Sequence, residues 1–272
     1  MRRPRRNPYR GRMPVIETVN LRRVYRRGGG LLRRRVGEVE AVRGVDLAVP
    51  AGQLYGLLGP NGAGKTTTIK MLTTLLLPTS GTARVLGHDV ATQPARVRAR
   101  IGYVFGGDKG LYERISARDN LRYFAELYGV PARDQRRRIG DVLDLVGLAD
   151  RARDRVESYS RGLRQRLHIA RGLLHDPPVL FLDEPTIGVD PVAARELRTT
   201  IRSLVRSGKT VLLTTHDMAE ADALCDRIGV IAAGRLQAEG TPAELKARVD
   251  GSDREPTLED AYVDVVMHAV PA

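Results

Sequence analysis

The sequence is poor in cysteine and in aromatic residues, with one cysteine, no tryptophan and three phenylalanines in 272 residues. The lone Cys225 cannot form an internal disulfide, which is typical of a reducing compartment and excludes a disulfide-stabilised scaffold. A helix needs about 20 consecutive apolar residues to span a bilayer, and apolar runs such as residues 75–77 and 179–182 are far shorter. The basic N-terminus lacks the apolar segment of a secretory signal. We therefore expect a soluble intracellular protein.

Acidic residues are almost absent from the N-terminal segment. Residues 1–35 hold thirteen of the arginines and a single acid, Glu17, so most of the net charge of +13 lies there and the rest of the chain is nearly neutral. A strongly basic protein is typical of nucleic-acid binding, but this distribution does not favour a nucleic-acid partner for the folded body. Residues 1–14 are predicted to be a disordered Arg-rich tail. The tail either lies on anionic lipid or is simply solvated.

The hydrophobic pattern predicts an alternating α/β body with a helical insertion. The first part predicts strands at 15–25, 40–49 and 54–58, followed by a helix at 65–75. Between about 116 and 175 the apolar residues recur at helical spacing. The alternation then resumes, with strands at 179–183, 210–215 and 228–232 and helices at 191–207 and 242–249. Residues 250–256 resemble a linker, and Thr257 to Asp260 form the pattern of a capping box that opens a last helix.

Residues 59–66 match the phosphate-binding pattern G-x4-G-K-[ST] after a predicted strand and at the start of a predicted helix. Glycines let backbone N–H groups turn toward phosphate oxygens, and the helix N-terminus adds partial positive charge. Lys65 supplies a cation, and the Thr66 hydroxyl can bind Mg²⁺. The predicted nucleotide-binding residues of this loop are Gly59, Pro60, Asn61, Gly62, Ala63, Gly64, Lys65, Thr66 and Thr67.

Two acids follow the apolar run at 179–182. The run predicts a buried strand that delivers Asp183 and Glu184 at its carboxyl end, where ligands of parallel sheets lie. Asp183 is predicted to hold Mg²⁺, and Glu184 to act as the general base that polarises the attacking water.

Between these two motifs, residues 158–166 read SYSRGLRQR. The segment resembles the LSGGQ signature of ABC transporter ATPases: Ser160, Gly162, Gln165 and Arg166 match. Without its neighbours, Ser160 would be interpreted as a plain helix N-cap. Similar variants occur in ATPases of ABC-2 type exporters, and residues 256–260 also resemble the closing segment of that group.

Two further segments extend the resemblance in the family's order. Residues 187–191 resemble the D-loop, which implies that Asp190 organises a dimer interface. His216, after the strand at 210–215, takes the place of the switch histidine that contacts the γ-phosphate; the alternative is a capped or core histidine. Tyr25 is the candidate for stacking on adenine, with a core tyrosine as the alternative.

The sequence departs from the family at one position that matters for metal binding. The family has a glutamine after the strand that ends near Val104, whereas residues 105–112 read FGGDKGLY. Asp108 is the candidate replacement as a metal contact.

The resemblance covers about residues 15–245 and implies an α/β fold. It implies a P-loop NTPase core with a mostly parallel sheet, an N-terminal antiparallel β subdomain and a helical signature subdomain at about 107–175. The expected domains are the tail at 1–14, an ABC ATPase domain at 15–249, and a linker with a C-terminal helix at 250–272. ATP and Mg²⁺ are the implied substrate and cofactor.

The resemblance also implies partners. Two ATPase subunits, as a homodimer, would clamp ATP between the phosphate loop of one and Ser160 and Gly162 of the other. ABC-2 type transmembrane permease subunits would export a drug, lipid or polysaccharide from a complex on the cytoplasmic face of the membrane. The alternatives are a soluble ABC-type ATPase that acts on nucleic acid or ribosomes, and an importer ATPase.

Overall fold

The structure is a computed structural model that describes residues 14–26, 37–106, 110–249 and 255–269. The predicted tail at 1–14, apart from Pro14, lies outside these ranges. So do the arginine run at 33–35 and Asp108.

The larger of two sheets has six strands in the order β10-β9-β3-β8-β7-β6. Its five neighbouring strands from β9 to β6 are parallel, and β10 pairs with β9 in antiparallel orientation. Every residue of β3, β7 and β8 is buried, as expected for parallel strands covered on both faces. The strands are β3 (Leu54–Leu58), β6 (Ile101–Phe105), β7 (Val179–Asp183), β8 (Thr210–Thr215), β9 (Arg227–Ala232) and β10 (Arg235–Gly240).

The smaller sheet is antiparallel throughout, in the order β2-β1-β4-β5. Its strands are β1 (Pro14–Arg26), β2 (Glu38–Pro50), β4 (Ser80–Val85) and β5 (His88–Asp89). The predicted fold class, a mostly parallel core beside an N-terminal antiparallel unit, is confirmed.

The helices lie on both sides of the large sheet or form a separate layer. They are α1 (Lys65–Leu72), α2 (Pro94–Arg98), α3 (Ala117–Leu127), α4 (Ala132–Leu145), α5 (Arg161–Leu173), α6 (Pro191–Arg206), α7 (Met218–Leu224), α8 (Pro242–Lys246) and α9 (Leu258–Ala269). Helices α3, α4 and α5 pack on one another and form the predicted helical insertion. Leu121, Ile139 and Leu143 lie in their shared core. None of the helices described is long and apolar enough to cross a bilayer.

Two hydrophobic cores lie against opposite faces of the large sheet. Alternate residues of β7 divide between them: Leu180 and Leu182 face the core shared with the helical layer, and Val179 and Phe181 face the core shared with the small sheet. The alternation follows from the two-residue period of a strand. The strand is thereby fixed on both faces, and this positions the acids at its end.

Two predicted helix ends lie three residues beyond the ends seen in the structure. Helix α1 ends at Leu72, three residues before the predicted end, because Thr74 adopts a left-handed conformation with φ 64°. Helix α8 ends at Lys246 rather than at Val249.

The capping box at the last helix is confirmed: Asp260 N–H donates to Thr257 Oγ1 at 3.1 Å, and Thr257 N–H donates to Asp260 Oδ2 at 2.9 Å.

Candidate functional site

The loop at residues 59–64 joins β3 to α1 and has a backbone that only glycine adopts without strain. Gly62 and Gly64 have φ angles of 81° and 107°. A Cβ on Gly64 would lie 2.6 Å from the carbonyl oxygen of Ala41 in β2. The loop therefore turns tightly into the N-terminus of α1, whose free N–H groups make an anion site.

Lys65 is folded back over this loop. Its Nζ donates to the carbonyl oxygens of Gly59 at 2.6 Å and of Pro60 at 3.2 Å, and it lies 3.2 Å from Glu184 Oε1. The Lys65 side chain is 4% exposed. A buried ammonium group is thus fixed at the mouth of the phosphate-binding loop.

Asp183 accepts hydrogen bonds from the two hydroxyl groups that flank it. Thr66 Oγ1 donates to Asp183 Oδ1 at 3.1 Å, and Thr214 Oγ1 in β8 donates to the same oxygen at 2.5 Å. The hydroxyl of Thr66 and the carboxylate of Asp183 form an all-oxygen donor pair, which fits Mg²⁺. The described residues contain no cluster of three or more acidic, histidine or cysteine ligands. Magnesium in nucleotide sites is held in this way, by one or two protein groups together with phosphates.

Glu184 stands at the centre of the site in a strained backbone conformation. Its φ is 52°, which is unusual for a residue with a side chain. Its N–H donates to the carbonyl oxygen and to Oγ1 of Thr214, both at 3.1 Å. Oε2 of Glu184 lies 2.6 Å from Nδ1 of His216, a half-exposed side chain at the end of β8. The carboxylate is therefore held between the Lys65 ammonium and the His216 imidazole.

The predicted signature residues Ser160 and Gly162 lie at the start of α5, and Asp190 lies at the start of α6. Ser160 is the N-cap of α5, where its hydroxyl accepts from Leu163 N–H at 3.4 Å. Gly162 is buried, and a Cβ there would lie 2.6 Å from Cβ of Ala193 in α6. Asp190 caps α6, accepting from Val192 N–H at 3.1 Å and from Ala193 N–H at 2.9 Å.

The structure therefore divides the predicted site residues into two groups. Lys65, Thr66, Asp183, Glu184 and His216 are brought together. Within the described ranges, Ser160, Gly162 and Asp190 make no hydrogen bond or ion pair with the phosphate-binding loop.

Tyr25 lies near the end of β1, with its side chain 37% exposed and the guanidinium of Arg23 4.9 Å from its ring centroid. It is not a core residue.

Thr214 was not among the predicted site residues. A polar residue at the end of the apolar run 211–213 was the signal that could have identified it.

Comparison with known proteins agrees with this geometry. Residues 42–187 match the family described as ABC transporter. The daunorubicin resistance ATP-binding protein DrrA3 of Streptomyces coeruleorubidus is 47% identical over 228 residues, which is 84% of this chain and 72% of the relative. The Nod factor export ATP-binding protein I of Ralstonia nicotianae is 44% identical over 222 residues, 82% of this chain and 69% of the relative.

A solved structure of an ATP-binding subunit of an ABC transporter superposes with a TM-score of 0.75 at 28% identity, covering 93% of this chain and 99% of the other. The chain belongs to the ABC transporter family, as an ATP-binding and ATP-hydrolysing subunit.

Proposed function

We propose that this subunit uses ATP hydrolysis to drive export through ABC-2 type membrane-spanning subunits, at the cytoplasmic face of the membrane. The export direction is supported by relatives named for daunorubicin resistance and for Nod factor export. The observation that carries the ATPase mechanism is the convergence of Lys65, Glu184 and His216 beside the Thr66–Asp183 pair. The cargo would be a drug, lipid or polysaccharide, selected by the membrane subunits. Within the chain, we assign the motor to residues 15–249.

The residues of one subunit would bind and orient the triphosphate. The loop N–H groups and Lys65 would hold its phosphates, and Tyr25 would stack on the adenine ring. Thr66 and Asp183 would hold Mg²⁺, which when bound neutralises phosphate charge. Glu184 would accept the proton of the attacking water, because its carboxylate lies at the carboxyl end of β7 and is fixed by two neighbours. His216 would contact the γ-phosphate through the ring nitrogen that does not face Glu184.

A second protomer would complete each site. Ser160 begins α5, so its hydroxyl and the N–H of Gly162 lie at a helix N-terminus, which suits an anion. Because Ser160 is exposed and makes no hydrogen bond with the phosphate-binding loop of its own chain, its hydroxyl group is available to the γ-phosphate of a partner. Asp190, at the start of the neighbouring helix α6, would lie at the same interface. ATP would then bridge two protomers, and its hydrolysis would remove the bridge.

The experiment that tests this proposal uses the Glu184→Gln variant. With ATP and Mg²⁺ we expect a stable dimer by size-exclusion chromatography with light scattering, and hydrolysis reduced by about 100-fold or more. The Glu126→Gln variant is the matched control, because Glu126 is exposed on α3; it should hydrolyse ATP at the normal rate and not accumulate the dimer. Rapid hydrolysis by Glu184→Gln would refute the assigned base. A persistent monomer with bound ATP would refute the shared site.

The membrane partner is tested separately. Tagged subunit purified from detergent-solubilised membranes should carry a membrane-spanning protein with it. The same protein should be recovered with a variant that lacks residues 1–13, if the ATPase body rather than the basic tail makes the contact. Recovery of nucleic acid or ribosomes in its place would favour the alternative of a soluble ATPase.

A further inference from the structure

Glu220, in the first turn of α7, carries a carboxyl group that the proposed mechanism does not use. The residue is 0% exposed. Neither carboxyl oxygen makes a hydrogen bond of good geometry with any residue described. Burial raises the pKa of this carboxyl group above its usual range. A buried carboxyl group whose hydrogen bonds are poorly aligned destabilises a fold, so its position requires an explanation.

The surroundings of Glu220 connect it to the turn that carries His216. Glu220 N–H donates to Asp217 Oδ1 at 3.0 Å, and Asp217 N–H donates to Thr215 Oγ1 at 3.0 Å. The hydroxyl of Thr215 in turn stabilises the charged form of the Glu220 carboxyl group. The residues on either side of His216 are thus tied to Glu220 through both its backbone and its side chain.

A second hydroxyl group, that of Thr186, also interacts with this carboxyl group. Thr186 also stabilises its charged form, although the effect of burial is larger. Thr186 belongs to the turn that follows Glu184, in which Ile187 N–H donates to the Glu184 carbonyl oxygen at 3.3 Å and Val189 N–H donates to that of Thr186 at 3.0 Å. The Glu220 carboxyl group therefore lies between the turn after Glu184 and the turn that carries His216.

We propose that Glu220 is a positioning residue for ATP hydrolysis. It fixes the turn that carries His216 relative to the turn that follows Glu184. The 2.6 Å contact between His216 and Glu184 joins the two turns at the site, and Glu220 joins them through the hydroxyl groups of Thr215 and Thr186. Glu220 has no contact with solvent. The inference rests on the proposed roles of Glu184 and His216.

A residue that acts in this way affects the chemical step more than nucleotide binding, because the phosphate-binding loop is built from other elements. In the full-length chain we expect Glu220→Leu to lower kcat by about tenfold or more, while the affinity for a fluorescent ATP analogue stays within about threefold. Glu220→Gln keeps polar atoms that can pair with both threonine hydroxyls, and it should restore most of kcat. Asp222→Asn, a change of a half-exposed ion-paired acid on the same helix, is the control and should have no effect.

Three results would overturn the inference. Normal kcat in Glu220→Leu would do so, as would equal losses in kcat and affinity, or a Glu220→Gln variant as impaired as Glu220→Leu. If Glu220→Leu does not fold, Thr215→Val removes the hydroxyl on the His216 side with little change in shape, and it should show the same loss of kcat. Glu184→Gln is measured in parallel. If Glu184→Gln is inactive while the Glu220 variants are normal, only this inference fails; if Glu184→Gln is fully active, the proposed function fails.

Discussion

The ammonium group of Lys65 lies 3.2 Å from the Glu184 carboxylate, although Lys65 begins helix α1 and Glu184 follows strand β7. Both side chains are largely buried, at 4% and 16% exposure. Such a pair is stable only when further hydrogen bonds satisfy its charges, and Lys65 has two, to the carbonyl oxygens of Gly59 and Pro60. A phosphate in the loop competes for the same ammonium group. ATP binding is therefore expected to release Glu184 from Lys65.

Replacement of Lys65 tests the phosphate-binding loop. We expect Lys65→Ala to weaken nucleotide binding by about tenfold or more, because the variant loses a charge-assisted contact in a buried site. Lys70→Ala is the matched control: Lys70 is on the same helix but exposed, and its loss should leave affinity unchanged. Equilibrium binding of a fluorescent ATP analogue measures both. Equal affinities for Lys65→Ala and the unaltered chain would contradict the assignment.

Asp183 and Thr66 are expected to determine the requirement for magnesium. Chelation with EDTA should abolish hydrolysis, and Asp183→Asn should raise the Mg²⁺ concentration needed for half-maximal activity by about tenfold or more. Asp176→Asn, which changes an exposed acid paired with Lys209, should behave as the unaltered chain. Titration of ATPase activity against Mg²⁺ decides the matter, and an unchanged midpoint in Asp183→Asn would show that other residues hold the metal.

The sequence was sufficient for features written in consecutive residues. The loop at 59–66 and the strand that delivers Asp183 were predicted because each carries its glycines, apolar residues and acids within one short segment. The fold class followed from the same local patterns. The boundaries of α1 and α8 were less accurate, since a single left-handed residue such as Thr74 leaves no periodic signal.

Relationships between distant segments could not be predicted. Neither the Lys65–Glu184 pair nor the role of Thr214 follows from spacing along the chain, because both depend on the order of the strands in the large sheet. The burial of Glu220 is of the same kind: an acid in the first turn of a helix usually indicates a favourable interaction with the helix dipole at the surface.

Because Gly162 packs against Ala193, we expect the effects of substitutions at these two positions on stability to be coupled. Gly162→Ala places a methyl group 2.6 Å from the Ala193 Cβ and should destabilise the fold by about 1–3 kcal/mol through overpacking. Ala193→Gly removes the obstructing atom, so the double variant should regain most of that loss apart from the helix penalty of about 1 kcal/mol for glycine. Urea unfolding of the four proteins in the double-mutant cycle measures this coupling. Additive effects of the two changes would contradict the packing described.

The buried side chain of His168 is expected to make the stability of the fold depend on pH. Its ring is 1% exposed, neither ring nitrogen has a hydrogen-bond partner among the residues described, and burial, with a smaller effect from the nearby Arg171 charge, lowers the pKa of His168 to about 3. An unfolded histidine titrates near pKa ~6.5. Between these two values the unfolded chain binds a proton that the folded chain does not, so the folded state loses stability as the pH falls below about 6.5.

The loss of folding stability caused by His168 amounts to about 2 kcal/mol between pH 7 and pH 5. His168→Leu replaces the ring with an apolar side chain of similar size, so the variant should lose that part of the acid sensitivity and be at least as stable at pH 7. The control is His88→Gln, which removes a histidine outside the two cores and should keep the original pH dependence. Free energies of unfolding in urea at the two pH values give the comparison. An equal decrease for His168→Leu and the unaltered chain would show that His168 is not the buried group that resists protonation.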